Sequence, residues 1–118
     1  MYYKEGLVER RREPRIKRRF LVKYGVGIPE KMGFTKDISK TGLYIFTNNP
    51  YGAGTIVDMR IDTGDEKFSL KGKVVRSIKY AGRLGAYVKS GMGIEFSRTP
   101  MEFIRYMENL QSAPRYNL

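Results

Sequence analysis

The 118-residue chain contains no cysteine. Disulfides and thiolate metal sites are therefore excluded. It contains no histidine either. That removes the commonest general base and the commonest metal ligand, and it rules out any nucleophile–histidine pair. No apolar run approaches the roughly 20 residues that cross a bilayer as a helix. The opening "MYYKEGLVERRR" lacks the apolar stretch of a signal peptide. These absences favour a cytoplasmic, non-enzymatic protein with no membrane span, no metal and no cofactor.

Positive charge is abundant. The formal net charge is +11, of which the first 24 residues contribute +6 and the remaining 94 contribute +5. Residues 9 to 19, "ERRREPRIKRR", hold seven arginines and lysines in eleven positions. Such a cluster repels itself unless an anion meets it, so a polyanionic partner is expected.

The patterning reads as β-structure with one helix. Residues 1–15 form a flexible basic N-terminal arm, with Pro14 disfavouring helix at Glu13. From Ile16, alternation places Phe20, Val22 and Tyr24 on one face. "GVGIPEKMG" (25–33), with three glycines and a proline, reads as a turn region. "GLYIFT" (42–47) is apolar on both parities, which predicts a strand buried on both faces or covered by the arm or a helix. "TIVDMRID" (55–62) alternates, and "TGDE" (63–66) reads as a hairpin turn. In 67–80 the alternation directs Phe68, Leu70, Val74, Ile78 and Tyr80 inward, with Gly72 and Arg76 between them. Residues 86–96 alternate again.

Residues 99–110 carry Phe103, Ile104, Met107 and Leu110 at helical spacing, behind a capping-box start at Thr99, Pro100 and Glu102. Residues 112–118 are a tail. Short connections between about six strands force antiparallel pairing, and a small domain hides its edges most simply by closing. The expected fold is a mainly β, six-stranded antiparallel (split) barrel over 16–111 with one C-terminal helix.

Two motifs bear on function. Arg11 and Arg15 stand in an R-x-x-x-R pattern, preceded by Arg10. About twenty residues later, Asp37, Ser39 and Gly42 form D-x-S-x-x-G. In this order, separated by a strand and its turn and followed by "GMGIEF" (91–96), they resemble the PilZ family of bacterial cyclic di-GMP receptors. The resemblance covers about residues 9–110. It implies a cyclic di-GMP site made by Arg10, Arg11, Arg15, Asp37, Ser39 and Gly42. Arg76, outside both motifs and inward by the parity of its strand, is a weaker candidate near the barrel mouth.

The chemistry suits that ligand. A guanidinium forks onto a phosphate or onto guanine O6 and N7. The Asp37 carboxylate can accept from guanine N1–H and N2. Ser39 can contact the ligand or shape the turn, and Gly42 supplies a positive φ or room for close approach. The ligand would order the arm and signal to a separate downstream protein, in control of motility or biofilm formation. No nucleic-acid partner is expected, and the protein would be a monomer or dimer. Two alternatives stay open: a basic barrel that binds single-stranded nucleic acid, and a PilZ-like adaptor that does not use the nucleotide. Among the tyrosines, no aromatic platform with nucleic-acid spacing is evident.

Overall fold

The computed structural model describes residues 13–83 and 88–112. Six strands run in chain order: β1 (Leu21–Gly25), β2 (Lys31–Ile38), β3 (Gly42–Phe46), β4 (Ile56–Asp62), β5 (Lys67–Ile78) and β6 (Gly91–Arg98). One helix, α1 (Met101–Ser112), follows. The strands close into a barrel in the order β1-β2-β3-β6-β5-β4, and every neighbouring pair is antiparallel.

Alternation explains the interior. Val22 and Tyr24 of β1, Leu43 and Ile45 of β3, Val57, Met59 and Ile61 of β4, and Met92 and Ile94 of β6 all point inward and are buried. At one end α1 acts as a plug. Phe103 and Met107 are fully buried, and the Phe103 ring meets Phe68 at 5.3 Å and Phe96 at 5.5 Å, edge to face. Phe103→Ala should therefore lower the unfolding free energy by about 3–5 kcal/mol, measured by urea denaturation.

Several local expectations change. Residues 25–33 are not all turn, because Lys31 to Gly33 already belong to β2. Gly33 is there for space: a Cβ would lie 2.6 Å from both Ile45 Cγ2 and the Phe46 carbonyl oxygen. The first strand is shorter than its alternation. Ile16 makes an isolated bridge to Ile38, with backbone bonds of 2.8 and 3.0 Å, and regular pairing resumes at Leu21. The buried Thr35 hydroxyl fills the gap, accepting from Phe20 N–H at 2.8 Å and donating to the Arg18 carbonyl. Thr99 does not cap the helix. Its hydroxyl donates to the Lys40 carbonyl at 3.3 Å, tying α1 to the β2–β3 turn, and Lys40 Nζ reaches Glu108 at 3.2 Å.

Two one-residue bulges matter most for the site. Between Thr35 and Asp37 the β2–β3 register shifts, with Lys36 as the extra residue. Between Val74 and Arg76 the β5–β6 register shifts, with Val75 extra. Each bulge reverses the inside–outside assignment beyond it. Arg76 and Ile78 consequently point outward and are exposed, contrary to the inward parity of a regular strand.

Candidate functional site

The Ile16–Ile38 bridge brings the arm's last residues onto β2, which sets Arg15 beside Asp37. Arg15 donates from Nε at 2.8 Å and from Nη2 at 2.6 Å, both to Asp37 Oδ1. No described residue bonds Oδ2, so the carboxylate keeps an acceptor for an incoming N–H. The pair lies at the surface, with side-chain exposures of 46% for Arg15 and 19% for Asp37. Its contribution to stability is small, about 0–1 kcal/mol. Its effect is to hold a guanidinium and a carboxylate in fixed relation.

Cross-strand register extends the site. Asp37 pairs with Tyr44, Tyr44 with Gly93, and Gly93 with Arg76. Four outward positions on four adjacent strands thus form one row, spanning about 14 Å at normal strand spacing. The row is the floor of an open groove of about 530 Å³, lined among others by Arg15, Lys36, Asp37, Tyr44, Arg76 and Gly93. Lys36 Nζ sits 5.5 Å from the Tyr44 ring centre and the Arg76 guanidinium 5.7 Å from it. Burial pushes the Tyr44 phenol above its ordinary value and Arg76 pulls partly against that shift. Tyr44 therefore stays a neutral hydroxyl at physiological pH. With three cations (Arg15, Lys36 and Arg76), a neutral ring and two carboxylates (Asp37 and Glu95) in its walls, the groove can hold a compact ligand that is both anionic and aromatic.

The remaining motif residues take different positions. Ser39 is fully buried, and its Oγ accepts from Thr41 N–H at 3.1 Å, so it shapes the turn between β2 and β3. Gly42 lines the groove but serves close approach: a Cβ there would sit 2.4 Å from the Ile94 carbonyl oxygen. Its φ is not among the positive ones, which occur at Gly27, Gly54, Gly64 and Gly82. Arg10 and Arg11 lie outside the described residues.

Tyr44, Lys36 and Gly93 escape the sequence reading, because their convergence depends on the bulges. The one available signal was "GLYIF" itself. Its outward residues, Tyr44 and Phe46, are half-buried, with cations over their rings. A larger groove of about 640 Å³ lies over β4 and β5, lined by Asp58, Arg60, Lys71 and Arg98 among others. There Asp58 is already engaged by Lys71 at 3.4 Å and by Gly27 N–H at 3.0 Å, and no motif residue is present. Among the described residues no cluster of acidic side chains could hold a metal ion, and no helix is long and apolar enough to cross a membrane.

A closed six-stranded barrel plugged by a C-terminal helix, with an arginine–carboxylate pair at its rim, defines a small ligand-binding module. Residues 9–110 match the PilZ domain, and the chain belongs to that family of cyclic di-GMP receptor domains. Solved structures share the fold at low identity. The Bacillus subtilis inhibitor of motility MotI/DgrA is 14% identical with a TM-score of 0.67, over 87% of this chain and 53% of that one. The PilZ domain of CeSA from a cellulose-synthesizing bacterium is 18% identical with a TM-score of 0.57, over 82% and 93% of the two chains. MrkH of K. pneumonia, solved as a c-di-GMP complex, is 18% identical with a TM-score of 0.63, over 85% and 50%. The chain thus spans about half the length of MotI/DgrA and of MrkH. A search of curated proteins found no match.

Proposed function

We propose that this chain is a cyclic di-GMP receptor without catalytic function, which signals to a separate protein. The observation that carries this reading is the Arg15–Asp37 pair at the rim of a groove whose far side holds Arg76. Arg15, joined by Arg10 and Arg11 from the arm, forks onto phosphate or onto a guanine O6/N7 edge. Asp37 accepts from guanine N1–H and N2 through its remaining oxygen. Arg76 gives the second half of the ligand a cation, with the Tyr44 phenol beside it. The ligand gathers the arm (residues 1–15), already anchored through Arg15, onto this face of the barrel (16–111), at a conformational cost that limits affinity. The solved MrkH–c-di-GMP complex, on the same fold, supports the ligand's identity. Regulation of motility or biofilm formation in the cytoplasm is the matching role, and MotI is itself named as an inhibitor of motility.

The test is a calorimetric titration of cyclic di-GMP and of single-stranded RNA at two salt concentrations. Saturable heat with the dinucleotide, counted per chain, is expected. Silence with the dinucleotide together with tight, salt-sensitive RNA binding would overturn the reading.

Gly93→Val supplies a specific arm of the same experiment. A Cβ at Gly93 meets Tyr44 Cδ2 at 3.6 Å and Arg76 Cβ at 3.9 Å, which is ordinary contact, so the fold accepts it. The added methyls fill the groove floor. Affinity should fall about tenfold or more, while stability changes by less than about 1 kcal/mol. Unchanged affinity would place the ligand elsewhere.

A further inference from the structure

One register step from the ligand row lies a second row that the nucleotide does not need. Phe34 pairs with Phe46, Phe46 with Gly91, and Gly91 with Ile78. All four positions face outward. Phe34 is 36% and Ile78 37% exposed, and Met32, next along β2 on the same face, is 57% exposed. A groove of about 390 Å³ runs here between Arg19 and Lys89 and includes Met32, Phe34 and Phe46 in its walls. None of its lining residues is acidic. The Arg19 guanidinium lies 4.0 Å from the Phe34 ring centre, and Lys89 Nζ lies 4.9 Å from that of Phe46.

We propose that this apolar row with its two cations is the docking surface for the downstream protein, and that it takes a segment carrying one large apolar side chain flanked by carboxylates. Charge decides the sign of the occupant. A second copy of this chain, or its own basic arm, would bring like charge to Arg19 and Lys89. The rings decide against nucleic acid. A stacking base needs a free aromatic face, whereas Phe34 and Phe46 each hold a cation over theirs, and Met32 and Ile78 offer no π-face at all. A carboxylate pairs with those cations without displacing them from the rings. An apolar centre with a charged rim is also the usual anatomy of a protein interface.

Position supplies the coupling. Phe46, Gly91 and Ile78 each lie two residues along their strands from Tyr44, Gly93 and Arg76, about 7 Å away. Tyr44 stands between the rows: a Cβ at Gly91 would lie 2.6 Å from its Cε1, and its ring meets Phe46 edge to face at 5.8 Å, so a ligand that moves Tyr44 alters the second row. The proposal rests on the receptor reading only for what docking achieves, and the binding itself is independent of it.

The test is an amide NMR titration of the full chain with short synthetic peptides. One has a central phenylalanine flanked by aspartates, one has serine in place of the phenylalanine, and one has lysines in place of the aspartates. Oligouridylate is a fourth probe. The acidic aromatic peptide should move the Phe34, Phe46 and Lys89 signals. Arg19→Glu with Lys89→Glu should weaken it about tenfold or more, and so should Phe34→Ser and the serine peptide. All these side chains are exposed or at the surface, so amide dispersion should stay native. No shift with the acidic peptide, equal binding of the lysine peptide, indifference to the charge reversals, or tighter binding of oligouridylate on this row would each overturn the proposal.

Cyclic di-GMP calorimetry on the same charge-reversed protein separates the two readings. Retained nucleotide binding with lost peptide binding supports two distinct sites, and joint loss would merge them and overturn the proposal. Peptide binding by a wild-type chain that ignores the nucleotide would sink the receptor reading and leave the docking surface standing.

Discussion

Arg15→Ala should reduce cyclic di-GMP affinity by about a hundredfold, within the loss expected when one partner of a hydrogen-bonded charge pair is truncated. Two effects add. The variant loses the fork that meets phosphate or guanine, and it leaves the Asp37 carboxylate facing an anionic ligand with its neutralising partner gone. In the wild type two Arg15 donors, from Nε and Nη2, fall on Asp37 Oδ1, so the guanidinium is oriented before a ligand arrives and keeps donors for it. Arg15→Lys should recover little, because an ammonium supplies charge without the planar fork. Stability should barely move, by about 1 kcal/mol at most, since the pair is solvated. Calorimetry and thermal melting of the same sample separate these outcomes. An Arg15→Ala protein that binds like wild type would remove this residue from the site. Asp37→Ala should fall almost as far, for the other reason: the base loses its acceptor and Arg15 loses its tether.

Gly42→Ala should cost about 3 kcal/mol of stability, the upper end for overpacking, and lower Tm by more than about 10 °C. The obstacle to the new methyl is the Ile94 carbonyl oxygen at 2.4 Å, with Glu95 Cα at 3.4 Å behind it. These are backbone atoms of β6 and cannot swing aside as a side chain would. Gly42 pairs with Glu95 at the β3–β6 seam, so relief requires opening the barrel. The contrast is Gly93→Ala on the facing strand, where nothing lies nearer than 3.6 Å and melting should match wild type. Thermal denaturation of the two alanine variants side by side checks the argument. Equal melting temperatures would contradict it. Gly42 is thereby assigned to construction of the site, while Gly93 keeps its floor open.

Legibility of the fold followed the regularity of the strands. Alternation named the interior of β1, β4 and the first half of β5, because each keeps one face in water throughout. It failed where a residue is inserted. Past Val75 the expected inward positions, Arg76 and Ile78, lie outside, and nothing in the local composition marks the change. Residues 25–33 looked like a turn because a glycine required for close approach, Gly33, has the same letter as one required for a positive φ, Gly27. Thr99 and Glu102 carried a capping signature, yet the hydroxyl found a better use against Lys40 once the helix had docked. At the site, Arg15 and Asp37 were visible as motif residues and are paired. Tyr44, Lys36 and Gly93 were not, since only the register across three strand pairs aligns them.

The two inserted residues have a consequence for how this site changes over generations. At Lys36 and Val75 the chemistry of the residue does not set which way its neighbours face. Replacing either side chain leaves every later position facing as before. Deleting either one closes its bulge, and the shortened strand alternates regularly with Asp37, or Arg76, still outward and still opposite its present partner. Drift in side-chain identity is therefore cheap at these points, and a single codon lost there in frame would leave the ligand row facing the same way.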